Sequence, residues 1–130
     1  MEVETINEIV GKVPVSVEQL DDGERLLMKF ADGSGIEFYP EADFGANVLI
    51  EDVTGDWSDL IGHPILVAEE RSQHSYDGIP EGCEAREESD TWTFYTFRGV
   101  GGSVDVRWHG WSSGYYSESV SWSVEGRIDG

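Results

Sequence analysis

From Thr91 to Val124 the chain alternates apolar and polar residues with a period of two, and the rest of the sequence reads as elements packed around this stretch. Val104, Val106 and Trp108 fall on one side of an extended backbone, while Ser103, Asp105, Arg107 and His109 fall on the other. Past a break at Gly110–Gly114, Tyr116, Val120, Trp122 and Val124 share one side, with Glu118 the exception; Ser117, Ser119, Ser121 and Ser123 take the opposite side. Alternation of β-branched and aromatic residues predicts half-buried strands. Trp92 and Phe94 alternate with Thr93, Tyr95 and Phe97, so that strand is apolar on both sides and central. Breaks at Arg98–Gly102 and Gly110–Gly114 join three consecutive strands by short glycine-rich connections, which predicts a C-terminal three-strand antiparallel meander.

The same pattern, less regular, runs through the earlier chain. Thr5 followed by Glu8 has the spacing of a capping box, with Ile6, Ile9 and Val10 as the apolar side of a short helical turn ended by Gly11. Val13, Val15 and Val17 alternate with Pro14 and Ser16; a proline without a donor places this strand at an edge. Asp21-Asp22-Gly23 is a turn, and Leu26, Met28 and Phe30 are an inward row. Ala31 to Gly35 is a hairpin connection to a strand with Ile36 and Phe38 inside and Glu37 outside, stopped by Pro40. Val48 and Ile50 begin a further strand after a loop at 41–47. Trp57, Leu60 and Ile61 sit on one turn before Gly62 and would plug an end of the core; Ile65 to Ala68 is a buried strand. Ser72 to Asp90 holds Gly78, Pro80, Gly82 and many acids. It reads as a long acidic loop, with a helical turn expected at Glu84–Glu88. The fold class is mainly β, or α+β with little helix: a compact antiparallel sheet, sandwich or partly open barrel in a single domain over residues 1–130.

Composition narrows the function classes. The formal charge is −19, from 27 acids against 8 Lys and Arg. Residues 1–59 hold 15 acids and 3 bases, residues 60–90 hold 8 and 2, and residues 91–130 hold 4 and 3, so the aromatic meander is nearly neutral. This charge opposes contact with nucleic acid or an anionic membrane and favours a basic protein partner. No apolar run approaches the roughly 20 residues of a membrane span, and the first ten residues have no apolar signal segment. Cytoplasmic residence is the expectation. The single Cys83 offers no disulfide and no zinc cluster.

Arg107-Trp108-His109-Gly110, followed by Gly114-Tyr115-Tyr116-Ser117, with Gly102 and Val104 upstream, resembles a small uncharacterised protein family associated with bacteriophages and their hosts. The likeness is strong over 91–122 and loose over 25–122. It implies a phage-encoded accessory protein, active in the host cytoplasm, and no catalytic residue. The residues themselves also read structurally: Gly110 and Gly114 permit sharp turns while Trp108 and Tyr116 pack the core, with a ligand or peptide patch of Trp108, Trp111, Tyr115 and Tyr116 as the alternative.

Candidate chemistry is sparse. His74, Cys83 and His109 match no zinc spacing, and Asp52, Asp56 and Asp59 around Trp57 lack the spacing and central glycine of a calcium loop. Gly99, Gly101 and Gly102 follow a strand without a Lys-Ser ending and so form a hairpin connection, not a phosphate loop. Glu118 interrupts an apolar row, and a cross-strand ion pair with Arg107 would account for it. No catalytic residue, metal or cofactor is specified. The expected function is non-enzymatic: an acidic protein that binds, and by phosphate mimicry inhibits, a basic host nucleic-acid-binding or defence protein. The residues expected at the contact are Asp52, Asp56, Asp59, Glu84, Glu87, Glu88, Trp111 and Tyr115. The alternatives are a small-ligand-binding or hydrolytic domain using the aromatic end of the sheet, and a structural phage protein that forms homo-oligomers.

Overall fold

The computed structural model describes residues 3–42 and 45–126, and shows two antiparallel sheets facing one another as an unclosed sandwich, with helix limited to short 3-10 turns. The strands are β1 (Val3–Thr5), β2 (Pro14–Leu20), β3 (Arg25–Phe30), β4 (Gly35–Pro40), β5 (Ala46–Thr54), β6 (Val67–His74), β7 (Ser89–Gly99), β8 (Gly102–Ser112) and β9 (Val120–Glu125). One sheet has the order β1-β6-β7-β8-β5, the other β2-β3-β4-β9. β6, β7 and β8 are consecutive antiparallel neighbours and form a meander toward the C-terminus; of the three strands expected in it, β7 and β8 belong to it and the third, β9, does not. The following strand, β9, leaves it and pairs with β4 in the opposite sheet, Phe38 facing Trp122 and Ile36 facing Val124.

The inward rows follow the sequence alternation. Leu26, Met28, Ile36 and Phe38 of one sheet meet Tyr95, Phe97, Val104, Val106 and Trp108 of the other, all of them buried. Phe38 sits at the centre, its ring 4.6 Å from Tyr95 and 5.9 Å from Phe97. Each such enclosed side chain contributes on the order of 2–3 kcal/mol, so this contact between the layers holds the sandwich closed. Val120, Trp122 and Val124 pack on the same core, which confirms the inward row of β9. Leu60 seals one end, with Trp57 6.1 Å from Phe97, whereas Ile61 and Leu66 are exposed.

Four local expectations are corrected. Residues 3–5 form an edge strand on β6, so Thr5 caps nothing; the 3-10 turn Asn7–Ile9 starts at Ile6 without a side-chain cap and still buries Ile6 and Ile9. A register shift between Pro14 and Ser16 makes Val15 an exposed extra residue on the edge strand β2. Residues 84–88 form no helical turn, because their backbone is drawn onto the side chain of Asp90 instead. Tyr116 is not core: it is 45% exposed and its ring covers Gly45, where a Cβ would overlap the ring.

Candidate functional site

The polar side of β8 faces away from the core, yet part of it is not in water. Residues 75–88, between β6 and β7, fold back as a strap across the outer face of the five-stranded sheet. Gln73 donates to the carbonyl of Gly78 at 2.6 Å, and the Ser75 hydroxyl accepts from the Asp90 amide at 3.1 Å. Asp90 in turn accepts the amides of Arg86 at 2.8 Å and Glu87 at 3.4 Å. The Arg86 guanidinium lies 4.7 Å from the centre of the Trp111 ring. This cover explains why Trp92 and His109, on the outer side by register, are both fully buried.

At the centre is a linear triple. His109 Nε2 stands 2.7 Å from Asp90 Oδ1, and its Nδ1 stands 2.8 Å from Glu51 Oε2. The His109 and Asp90 side chains have no exposed surface, and that of Glu51 has 24%. The ring stacks on Trp92 at 4.7 Å and leans on Trp111 at 4.9 Å. With an acceptor at each nitrogen, both bonds require two protons in the triple, one beside each nitrogen. The carboxylates approach from different edges of the ring, a geometry that orients the imidazole and does not converge on one ion. Among the described residues no group of three or more His, Cys, Asp or Glu is arranged to hold a metal.

Glu51 reaches this position through a bulge. Ile50 pairs with Trp108 and Asp52 with Arg107, leaving Glu51 as the extra residue. Glu51 and Asp52 therefore both face outward while Ile50 and Val53 both face the core. Glu51 Oε1 also accepts Arg107 Nε at 2.8 Å. Between this edge and the strap lies a cavity of about 440 Å³, lined by Glu51, Gly82, Glu84, Ala85, Arg86 and Arg107. Cys83 is beside it, half-buried; burial pushes its thiol up, Arg107 pulls the other way and Glu51 adds to the rise. The protonated thiol is thereby favoured over the nucleophilic thiolate.

A second buried carboxylate lies on the inner face. Glu118 accepts the Thr91 hydroxyl at 2.8 Å and the Ser112 hydroxyl at 2.5 Å. Its pairing with Arg107 is overturned, since Arg107 is on the outer face with Glu51. The Thr91 proton goes to Glu118, so the His74 Nδ1–H, 2.7 Å from the Thr91 oxygen, is the donor there. His74 stacks on Tyr76 at 5.0 Å. Gly110 makes the approach feasible: a Cβ there would overlap the Glu118 carbonyl oxygen. The glycine after Arg107-Trp108-His109 thus serves the crossing of the chain toward β9.

The expected contact residues divide between two places. Glu84, Glu87, Glu88 and Trp111 belong to the strap region, with Asp52 exposed on the neighbouring edge strand. Asp56 caps the 3-10 turn Trp57–Asp59, accepting the Ser58 amide at 2.9 Å and its hydroxyl at 2.8 Å, which hold its carboxyl below the usual range. Asp59 packs against Gly101 and Gly102 in the β7–β8 turn. That turn is nine residues from Trp111 along β8, roughly 30 Å at about 3.3 Å per residue. Tyr115 is 88% exposed and apart from Trp108, which lies in the core, so the four aromatic residues form no common patch. The sequence reading missed Asp90, His109 and Glu51 as a unit. The available signal was the pair of acids wedged between Ile50 and Val53, a spacing that alternation alone does not allow.

A two-sheet β-sandwich with a strapped polar cluster on its outer face is the class this geometry defines. Residues 7–122 match the family described as a domain of unknown function, DUF7448, and the chain belongs to that family. No curated protein and no solved structure matches it. Among the described residues no helix is long and apolar enough to cross a membrane.

Proposed function

We propose that this is a non-enzymatic binding protein that presents the carboxylates of its strap to a basic protein. One observation supports the reading above the others. Asp77, Glu81, Glu84, Glu87 and Glu88 are exposed, while the only base of the strap, Arg86, is folded over Trp111 and the backbone beneath is tied to buried Asp90. Carboxylates held on an ordered backbone lose less freedom on association than those on a loose loop. Their field, added to a net charge of −19, speeds encounter with a Lys- and Arg-rich surface. In its narrower form, the partner is a host nucleic-acid-binding or defence protein whose phosphate-binding groove the strap occupies, and the protein is a phage accessory inhibitor acting in the host cytoplasm.

The test is capture of basic nucleic-acid-binding proteins at about 0.1 M and about 1 M salt, between which the screening length falls from roughly 10 Å to 3 Å. Binding is expected at low salt and lost at high salt. The triple variant Glu84→Gln, Glu87→Gln, Glu88→Gln is expected to abolish it. A control of equal charge, Glu8→Gln, Glu18→Gln, Glu125→Gln, which alters exposed acids away from the strap, is expected to bind nearly as well as the parent. Equal losses in both triples, or no capture at low salt by folded protein, would defeat the proposal.

A further inference from the structure

We propose that the cavity between the strap and β5–β8 binds a small molecule that carries a carboxylate or phosphate together with a hydroxyl or ammonium donor. This is a separate activity from that of the strap's outward acids and concerns its underside, with Glu84 the one acid common to both. The volume of about 440 Å³ falls in the range of small-molecule sites and exceeds that of a bare oxyanion. Two guanidiniums border it in a chain with only 8 Lys and Arg against 27 acids. Arg107 comes from the sheet. Its Nε is engaged by Glu51 at 2.8 Å, Arg107 itself lines the cavity, and Glu51 is its one carboxylate partner among the described residues. Arg86 comes from the strap and lies over the Trp111 ring, without a carboxylate partner among the described residues. A guanidinium presents a planar fork of N–H groups suited to oxyanions.

The spacing of the two forks is fixed from below. Arg107 Nε, Glu51, His109, Asp90 and the Arg86 amide form one unbroken run of hydrogen bonds, each between 2.7 and 2.8 Å. Enclosing a histidine and an aspartate is unfavourable unless their hydrogen bonds are complete. A run that joins sheet to strap gives that enclosure a purpose, because it positions one arginine relative to the other. Glu84 sets the rest of the specificity. Its carboxylate on the same wall repels a molecule that is anionic throughout and accepts a donor from one that is not.

The experiment follows backbone amides of Gly82, Ala85 and Arg86 and the Trp111 indole by NMR during titration with four probes: inorganic phosphate, acetate, phosphoserine and glutamate. Saturable shifts confined to these signals are expected with phosphoserine or glutamate, at least about tenfold tighter than with the corresponding bare anion. Which of the two binds assigns the oxyanion. Arg107→Gln and, independently, Arg86→Gln are each expected to weaken binding at least about tenfold with the remaining spectrum unchanged. Glu84→Gln is expected to erase the advantage of the donor-bearing probe. The proposal is overturned by the absence of saturable shifts for all four probes at about 10 mM, or by binding that neither arginine variant weakens.

Discussion

Asp90 Oδ1 and His109 Nε2 lie 2.7 Å apart with both side chains fully enclosed. Asp90 also accepts the amides of Arg86 and Glu87, so one carboxylate fastens the strap to the sheet and orients the imidazole. Loss of either role exposes the other, since the strap is what keeps water from the Asp90–His109 bond.

Asp90→Asn keeps the size of the side chain and removes its charge, while Asp90→Ala also removes the acceptors for two amides. The alanine variant is expected to lose roughly 3–5 kcal/mol, the range for breaking a buried charged pair, and the asparagine variant less. The strap should loosen before the sandwich unfolds. Trypsin cleavage after Arg86 is the readout: it should become rapid in both variants at temperatures where the β-sheet circular dichroism is unchanged. Cleavage at the parent rate would show that Asp90 does not anchor the strap.

Gly110 and Gly33 separate steric overlap from backbone strain. Alanine at Gly110 would place its Cβ into the Glu118 carbonyl, and is expected to cost about 3 kcal/mol or more through displacement of the segment leading to β9. At Gly33 the backbone has φ +91° with nothing within 4 Å of a Cβ, so alanine there pays only the left-handed penalty, about 1–2 kcal/mol. Urea midpoints at unchanged slope measure both, and the order Gly110→Ala worse than Gly33→Ala is the prediction.

Arg107 and Glu118 are expected to be energetically independent. They lie on opposite faces of the five-stranded sheet, Arg107 with Glu51 and Glu118 with Thr91 and Ser112. Glu118→Gln should cost about 1–3 kcal/mol, because two buried hydroxyls lose a charged acceptor. In a double-mutant cycle with Arg107→Ala the coupling should fall within about 0.5 kcal/mol of zero, whereas the part-exposed Arg107–Glu51 pair should show about 0.2–1 kcal/mol.

How far the sequence reaches is clear from particular residues. The inward rows of β3, β4, β7, β8 and β9 were legible because a side chain's face depends only on its neighbours two positions away. The partner of β9 was not: its alternation suits β8 or β4 equally, and the choice is made by the crossing past Gly110, a long-range contact. His109 read only as a polar-side residue, since nothing local says that a segment beginning at Ser75 will cover it. Val15 and Val53 shared one cause of error, since strict alternation from Ile50 would turn Asp52 inward and Val53 outward, the reverse of what is found. A bulge inserts one residue, and a strict period of two then predicts the wrong face beyond it.

The pH dependence of stability should be set in part by Glu70 and Tyr95. Tyr95 donates its hydroxyl to Glu70. Burial pushes the Tyr95 hydroxyl far above its ordinary range, with the Glu70 charge and hydrogen bond adding to it. Burial also raises Glu70, more than the Tyr95 hydrogen bond lowers it, and Glu4 contributes further. Both groups bind their proton more tightly folded than unfolded, so each contributes stability that is full below its unfolded value and lost as pH rises through the folded one. For Glu70 the loss begins above about pH 4.3, and for Tyr95 above about pH 10. Asp32 has the opposite sign: hydrogen bonds from Lys12 and Ser34 lower it, and its contribution disappears as pH falls below about 4. Glu70→Gln removes the first loss while keeping an acceptor for Tyr95. The variant should therefore match or exceed the parent in urea midpoint at pH 7, lose that advantage near pH 4, and retain the alkaline decline above pH 10. A variant less stable than the parent at pH 7 by the same margin as at pH 4 would mean that the ionised carboxylate is no burden to the fold.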